Sequence, residues 1–465
     1  MTRSPLDVRE IRRGRAARPG RRLRGRGTVI VIVLWSLAIA ALVASSLQML
    51  AWRQASIGFD AVARMQARWA ARAGLENAIS LMALHTEDPV PDDAFALARD
   101  LSGISFAELN GASYSIQHHT NRVDVDGPLD AHSKLNFNRE GAPVYDVLGL
   151  YDLSPDQAAA MVDWTDQDEE PVLFGAEEDY YLLSRNYTPR NGPIRSIAEL
   201  EMIAGVWAEF VRGEDLDLNF RRDPNEDDGE RTPPDDDADG ELDGGWSSML
   251  TVHSIDDGPT DSGLPRIHLK RAEPQELVER LGLADERQAE QLIAFGRNDQ
   301  NRLEQVIDEN FDLSLIDPAG NVGEEPLVPD LEPLDDDQRR AILAECRMLP
   351  AFDRRPGRVN LNSAAPDLIR DMIEVLGFEP AVADELIYLR NSRPEGITSL
   401  IELSDIRVTL PDGALVALAR HFDVRSAVHV VSSIGRSAAT GAEVEIVAVI
   451  DRSTVPLRIL EYREQ

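Results

Sequence analysis

Polarity changes sharply near the start of the chain. Residues 1–27 hold ten arginines and two acids, Asp7 and Glu10, whereas the next 25 residues, Thr28 to Trp52, carry no charge. At about 1.5 Å per residue a helix over that run reaches ~37 Å, enough to cross a hydrocarbon core of about 30 Å. The basic flank sets the N-terminus in the cytoplasm and exports everything after residue 52. A signal anchor and a cleaved secretory leader are the competing readings, but the run is long for a leader and no polar break follows it. Instead Phe59, Val62, Met65, Trp69, Leu75 and Ile79 recur near helical spacing and predict an amphipathic stem with one apolar face, ended by Pro89 and Pro91.

Beyond the stem the period shortens. ASYSIQHHT (112–120) alternates like a half-buried strand, in which His118 and His119 point to opposite faces and cannot chelate one metal together. Two later segments resemble each other. One opens Lys134-Leu-Asn-Phe-Asn138 and the other Arg358-Val-Asn-Leu-Asn362. Each runs on to Leu-Gly-apolar, at Leu148-Gly149-Leu150 and Leu376-Gly377-Phe378, and then to a proline, Pro155 or Pro380, placed for a first helical turn. Each closes on Ile-x-Ser-apolar-x-Glu-Leu, at Ile194 to Leu200 and Ile397 to Leu403, where Ser196 with Glu199 and Ser399 with Glu402 have capping-box spacing. This is an internal repeat of short helices. A partial third copy lies at 277–295, with Leu281-Gly282-Leu283 but no Asn-x-Asn opening.

The remaining stretches are loops and strands. Residues 223–245 are acidic and low in complexity, with Leu242 alone able to enter a core. WSSMLTVHSI (246–255) resumes an apolar pattern, and 296–357 is acidic with one helix at DDDQRRAILAECRML. HFDVRSAVHVVSSI, AEVEIVAVIDR and PLRILEYRE read as three antiparallel strands, with Thr440-Gly441 in the first turn.

Charge narrows the function. The chain has a net charge of −34, and −42 without residues 1–27. The repeats resemble helix-hairpin-helix units, a fold that commonly meets DNA phosphates through a Gly-x-Gly hairpin. Each hairpin here keeps one glycine, and the first unit is densely acidic, which opposes phosphate binding. A single cysteine, Cys346, rules out an intramolecular disulfide. There is no Gly-x-Ser-x-Gly, no lysine followed by Ser or Thr in a phosphate loop, and no metal-ligand spacing among the eight histidines, so catalysis has no positive support.

Hard cations are the exception, because Ca²⁺ takes six to eight oxygen ligands. In the first candidate site Asp163, Asp166, Asp168, Glu177, Glu178 and Asp179 flank one short loop and can converge. In the second, Asp235, Asp237, Asp239 and Asp243 follow the first, third, fifth and ninth positions of a helix-loop-helix calcium loop, with Trp246 where the twelfth-position Glu belongs. The bland alternative for both is a solvated acidic loop.

Four pieces in order resemble the type II secretion minor pseudopilins of the K class. They are Arg-Gly-Arg-Gly27 before an apolar helix containing Val-Leu-Trp35; the Lys-Leu-Asn-Phe-Asn unit with Asp-Trp-x-Asp-x-Asp, Gly-Ala-Glu-x-x-Tyr-Tyr (175–181) and Pro-Arg-Asn-Gly-Pro193; the Val-Asn-Leu-Asn362-Ser-Ala unit; and the C-terminal strands. The resemblance implies an α+β, pilin-like fold: a long N-terminal helix on a small antiparallel sheet, with a large inserted helical domain containing helix-hairpin-helix-like repeats. The implied divisions are a basic leader (1–27), the membrane and stem helix (28–95), a pilin segment (96–133), a first helical unit (134–220), an acidic loop and return strand (221–260), an insertion (261–357), a second helical unit (358–410) and the closing strands (411–465). The resemblance also implies cleavage by prepilin peptidase between Gly27 and Thr28, an inner-membrane anchor with the bulk of the chain in the periplasm, partners among the minor pseudopilins of classes I and J, no nucleic acid, and calcium in the helical domain. Mature position five would be Ile32, where most major pilins carry a Glu that pairs with a neighbour's N-terminus; its absence suits a subunit with nothing above it. The loops at 221–245 and 261–345 are long for the family. A membrane-anchored DNA receptor and a calcium-binding adhesin are the rival readings.

Overall fold

The computed structural model describes residues 26–120, 122–350 and 354–465. The leader expected over 1–27 lies outside the described residues, apart from Arg26 and Gly27, whose backbone opens the first helix. The chain divides into two units, Met1–Val62 and Ala63–Gln465. In the first, the front of helix α1 (Arg26–Glu87) exposes its apolar side chains from Val29 to Trp52. α1 is, among the described residues, the one helix long and apolar enough to cross a membrane.

In the second unit α1 continues to Glu87 and stops short of Pro89, as the steric clash before a proline requires. Its buried face is the predicted one only in part. Leu75 is buried and Ile79 packs against the same core, but Phe59, Val62, Met65 and Trp69 are exposed, and Ala63, Ala67, Ala70, Ala71, Ala78 and Met82 are buried in their place. The reason is distance: a Cβ on Gly74 would stand 2.4 Å from Ser433 Oγ, so small residues are required where the helix crosses the strand that holds Ser433.

After α1 come α2 (Ala96–Gly103), β1 (Phe106–Leu109), β2 (Ala112–Thr120), β3 (Val123–Asp126) and β4 (Leu129–Asp130). β2 buries Ala112, Tyr114 and Ile116 on one face. His118 bonds the Gly127 carbonyl and His119 bonds Asp124, each at 2.8 Å, on separate sides of the strand.

Three helical units follow, each bracketed by a pair of two-residue parallel strands. The first holds β5 (Leu135–Asn136), α3 (Val144–Gly149), α4 (Pro155–Thr165), α5 (Glu178–Ser184), α6 (Ala208–Arg212) and β6 (Leu250–Thr251). The second holds β7 (Ile267–His268), α7 (Pro274–Leu281), α8 (Glu286–Arg297), α9 (Asp336–Glu345) and β8 (Cys346–Arg347). The third holds β9 (Val359–Asn360), α10 (Pro366–Val375), α11 (Pro380–Ser392), α12 (Ala414–His421) and β10 (Phe422–Asp423). The partial copy at 277–295 therefore belongs to a complete unit, with Arg266-Ile-His-Leu-Lys270 as its opening: Ile267 and Leu269 are buried where the other units bury Leu135 with Phe137 and Val359 with Leu361. The first and third units share one core and the second has its own.

The asparagines explain the repeated opening. Asn138 brackets Ile194, donating to its carbonyl and accepting from its N–H, both at 2.8 Å; Asn362 does the same to Ile397 at 2.8 and 2.9 Å. The capping boxes differ. Ser399 and Glu402 form one, at the start of a 3₁₀ turn over Leu400–Asp405. Ser196 makes no cap bond at the turn over Ile197–Met202, because Glu199 faces inward to Trp164, Arg190 and the Arg195 N–H.

The chain closes with β11 (Val428–Ser437), β12 (Glu443–Asp451) and β13 (Arg458–Glu464). The sheet runs β1-β2-β11-β12-β13, antiparallel throughout, with β3 on β2 and β4 on β11. The helical units are thus inserted between neighbouring strands β4 and β11. One correction concerns the start of the closing block: α12 precedes the strands, and Phe422–Asp423 pairs with β9 rather than continuing into β11. The helix follows from ALVALARH, an apolar run ending in a basic turn. The result is the expected α+β, pilin-like architecture with a helical insertion.

Candidate functional site

Helix α4 positions the acidic site. Ser154 caps it through a full capping box with Gln157, and Pro155 sets its first turn. Asp163 lies on the last turn and Asp166 at the C-cap, three residues apart and so on the same side. The chain then loops back to α5, whose N-cap is Glu177. Oxygens of Asp163, Asp166 and Glu177 all come within 4.8 Å of one another. Gly175 makes the return possible: a Cβ there would stand 1.9 Å from Asp163 Oδ2.

An aromatic and ionic buttress holds this corner. Trp164, Tyr181 and Tyr187 pack together, with ring centroids 5.1 to 6.1 Å apart. The Trp164 indole donates to Glu199 at 2.9 Å, and Glu199 also takes Arg190 Nη2 at 2.8 Å and the Arg195 N–H at 3.0 Å. Tyr181 OH accepts the Ala204 N–H.

Four of the six carboxylate oxygens are buried without a donor. Asp163 is fully buried and Glu177 is 6% exposed. Asp163 Oδ1 accepts the Val172 N–H, but Asp163 Oδ2, Asp166 Oδ1 and both Glu177 oxygens are buried with no partner, as is Asn191 Oδ1. Burial, then the charges of Asp163 and Asp166, push the Glu177 carboxyl up to about 7. Burial and the neighbouring Asp168 and Asp163 also raise Asp166. Orphaned anionic oxygens in a buried cluster are costly, and a hard cation relieves that cost. The residues fit such an ion.

The other predicted ligands lie outside this three-carboxylate convergence, although Asp168 is near enough for its charge to be felt there. Asp168 is exposed and accepts the Glu170 N–H, while Glu178 and Asp179 occupy the first turn of α5, where they face its positive end. Asp235, Asp237, Asp239 and Asp243 are all exposed. Asp237 and Asp239 cap the local N–H groups of Asp239 and Glu241 instead of converging.

Sequence reasoning missed a second convergence, Asp215, Asp217 and Glu226. The signal was present: Asp215, Asp217, Asn219, Asp223 and Glu226 occupy positions one, three, five, nine and twelve of a calcium-loop spacing. Phe220 takes the sixth position with φ +58°, where that loop prefers glycine. Here the oxygens already have donors. Asp215 accepts the N–H groups of Asn219 and Phe220, each at 3.1 Å, and Glu226 accepts those of Leu216 and Asp223 at 2.8 and 3.0 Å. Burial pushes Asp215 up and Lys134 down, and the opposite charge of each works against the other's shift.

The first site lies inside a recognisable segment. Residues 145–213 match the family model for Type II secretion system (T2SS), protein K. A type II secretion system protein K from Klebsiella pneumoniae is 26% identical over 201 residues, a match covering 41% of this chain and 60% of that protein. The structure of a GspK-GspI-GspJ complex from the type 2 secretion system of enterotoxigenic Escherichia coli aligns over 89% of this chain and 99% of its own, at 12% identity and a TM-score of 0.34. In this chain the matched segment spans α3 to α6, the orphaned carboxylates and the Trp164–Glu199–Arg190 buttress.

Proposed function

We propose that the chain is a minor pseudopilin at the tip of the type II secretion pseudopilus, where it primes assembly and supports export of folded proteins across the outer membrane. One observation carries this reading: the K-family segment is inserted in a pilin-like sheet whose long N-terminal helix begins with an uncharged span from Thr28 to Trp52. Prepilin peptidase cuts after Gly27, and the freed helix anchors the chain in the inner membrane before it packs among pseudopilins. The basic flank sets the N-terminus in the cytoplasm and the rest in the periplasm. Ile32 at mature position five leaves no buried acid seeking a subunit above, which supports the tip position. Partners are the minor pseudopilins of classes I and J. The role is structural, with no catalytic step.

The helical domain binds calcium through Asp163, Asp166 and Glu177, with Asn191 as a neutral oxygen donor. An all-oxygen donor set in an exported protein favours Ca²⁺ over softer metals. N-terminal sequencing of the exported chain tests the main reading. A mature chain that begins at Thr28 and co-purifies with sibling minor pseudopilins is expected; an intact leader, or a cut after Trp52, overturns it.

A further inference from the structure

A cavity of about 830 Å³ opens among the three helical units. Ten arginines and six carboxylates line it, and Arg340, Arg354 and Arg425 are further paired with Glu402, Asp451 and Asp261 behind the wall, so its cationic character rests on the arginines left without a partner. Unpaired charges of one sign in a cleft concentrate ligands of the other.

The wall has two layers. The deep one is a closed ion-pair network. Arg358 binds Asp256 at 2.9 Å, Glu304 at 3.3 Å, and Asp423. Arg266 lies 3.5 Å from Asp257 and donates to the carbonyls of Gly258 and Cys346. This layer holds the units in place and has little capacity left. The outer layer is different. Arg302, Arg355 and Arg420 have no carboxylate partner among the described residues, and the Arg302 guanidinium reaches only the carbonyls of Asp299 and Asn301. Arg347 pairs with Asp257 at 3.5 Å through Nη1 but keeps Nε as a buried donor with no acceptor.

We propose that this cavity is a docking site for an acidic segment of a partner protein, a run of Asp and Glu residues in extended form. Guanidinium forks match carboxylates in pairs. The unpaired arginines come from three separate chain segments, so a ligand must spread several negative charges to meet them. The volume, near the upper end of the range for ligand sites, is far more than one phosphate or sulfate fills. Nucleic acid is disfavoured by the chain's net charge of −34. The assignment is independent of the tip reading.

The test uses the full chain in neutral detergent with a fluorescein-labelled octapeptide of alternating Asp and Glu, followed by anisotropy. Saturable binding at about 50 mM salt, weakened roughly tenfold or more at about 300 mM, is expected. The R302E/R355E/R420E variant should lose binding by about tenfold or more with its unfolding midpoint unchanged, whereas Arg185→Glu on the exposed surface of the first unit should change it little. Absence of saturable binding, or equal binding by the triple variant, overturns the proposal. Displacement of the peptide by equimolar inorganic phosphate would make the cavity a small-oxyanion site instead. Self-association of the chain that blocks the peptide would make the occupant a second copy. Either outcome also overturns it.

Discussion

Gly435 of β11 lies directly beneath the Ala67 carbonyl of α1: a side-chain carbon on Gly435 would stand 1.8 Å from that oxygen and 2.5 Å from the Ala71 N–H nitrogen. Ser433, two residues back on the same face, donates to the Ala71 carbonyl at 2.9 Å. Helix and sheet therefore meet through backbone, with alanines filling the seam. Gly435→Ala should destabilise the fold by about 3 kcal/mol, since neither backbone can yield without repacking the seam. Urea unfolding of the full chain in detergent measures it; a loss under roughly 1 kcal/mol would show that the seam is loose.

Glu199 offers a second test, because one carboxylate serves three donors. Burial alone would raise it, but Arg190, the Arg195 N–H and the Trp164 indole together hold it below the usual carboxylate range. Its stabilising contribution is therefore complete above the unfolded value of about 4.3 and is lost as pH falls through the lower folded value. Glu199→Ala leaves an indole N–H and a guanidinium unpaired and should cost about 2–3 kcal/mol at pH 7. Unfolding curves of variant and wild type should converge near pH 3; a pH-independent gap would mean that packing, rather than charge, dominates.

How far the sequence could be read depended on whether a local pattern stood alone or needed a distant partner. The break after Glu87, the starts of α4 and α11 and the closing strands are local, set by Pro89, Pro155, Pro380 and runs of Val and Ile. The face of α1 was not local. Large apolar residues usually point inward, but this interface demands small ones, and only the position of Gly435, over 360 residues away, reveals that. The middle helical unit was legible only as a partial copy because His268 and Lys270 replace the asparagines, while the feature that persists, buried Ile267 and Leu269 in a parallel pair with β8, is a tertiary one. At the acidic site Asp163, Asp166 and Glu177 were within reach because they flank one short loop; the exclusion of Asp168, Glu178 and Asp179 depended on side-chain direction, which spacing does not give.

The two Ile-x-Ser segments make a matched prediction. Their sequences are alike, yet Ser399 accepts a backbone N–H and shares a box with Glu402, while Ser196 makes no cap bond. Ser399→Ala should cost about 1 kcal/mol and Ser196→Ala under about 0.5 kcal/mol. Equal losses in thermal or urea unfolding would show that the cap difference has no energetic consequence.

Calcium at Asp163, Asp166 and Glu177 has a pH dependence of definite sign. Glu177 is raised to about 7 by burial and by its two acidic neighbours, so without an ion its protonated form stabilises the fold below the unfolded value of about 4.3, and that contribution is lost as pH rises towards 7. A bound cation replaces the proton. Stabilisation by calcium should therefore grow between about pH 5 and 7 and level off above, reaching about 2.7 kcal/mol at a hundredfold excess over Kd. Glu177→Gln removes one of three crowded charges, so in chelator at about pH 7.5 the variant should be at least as stable as the wild type, yet gain nothing from calcium. Asp163→Asn should also lose the calcium response. Thermal unfolding of the full chain with calcium and with chelator, at both pH values, decides the matter. A calcium shift of equal size at pH 5 and 7.5, or one retained by Glu177→Gln, would place the ion elsewhere.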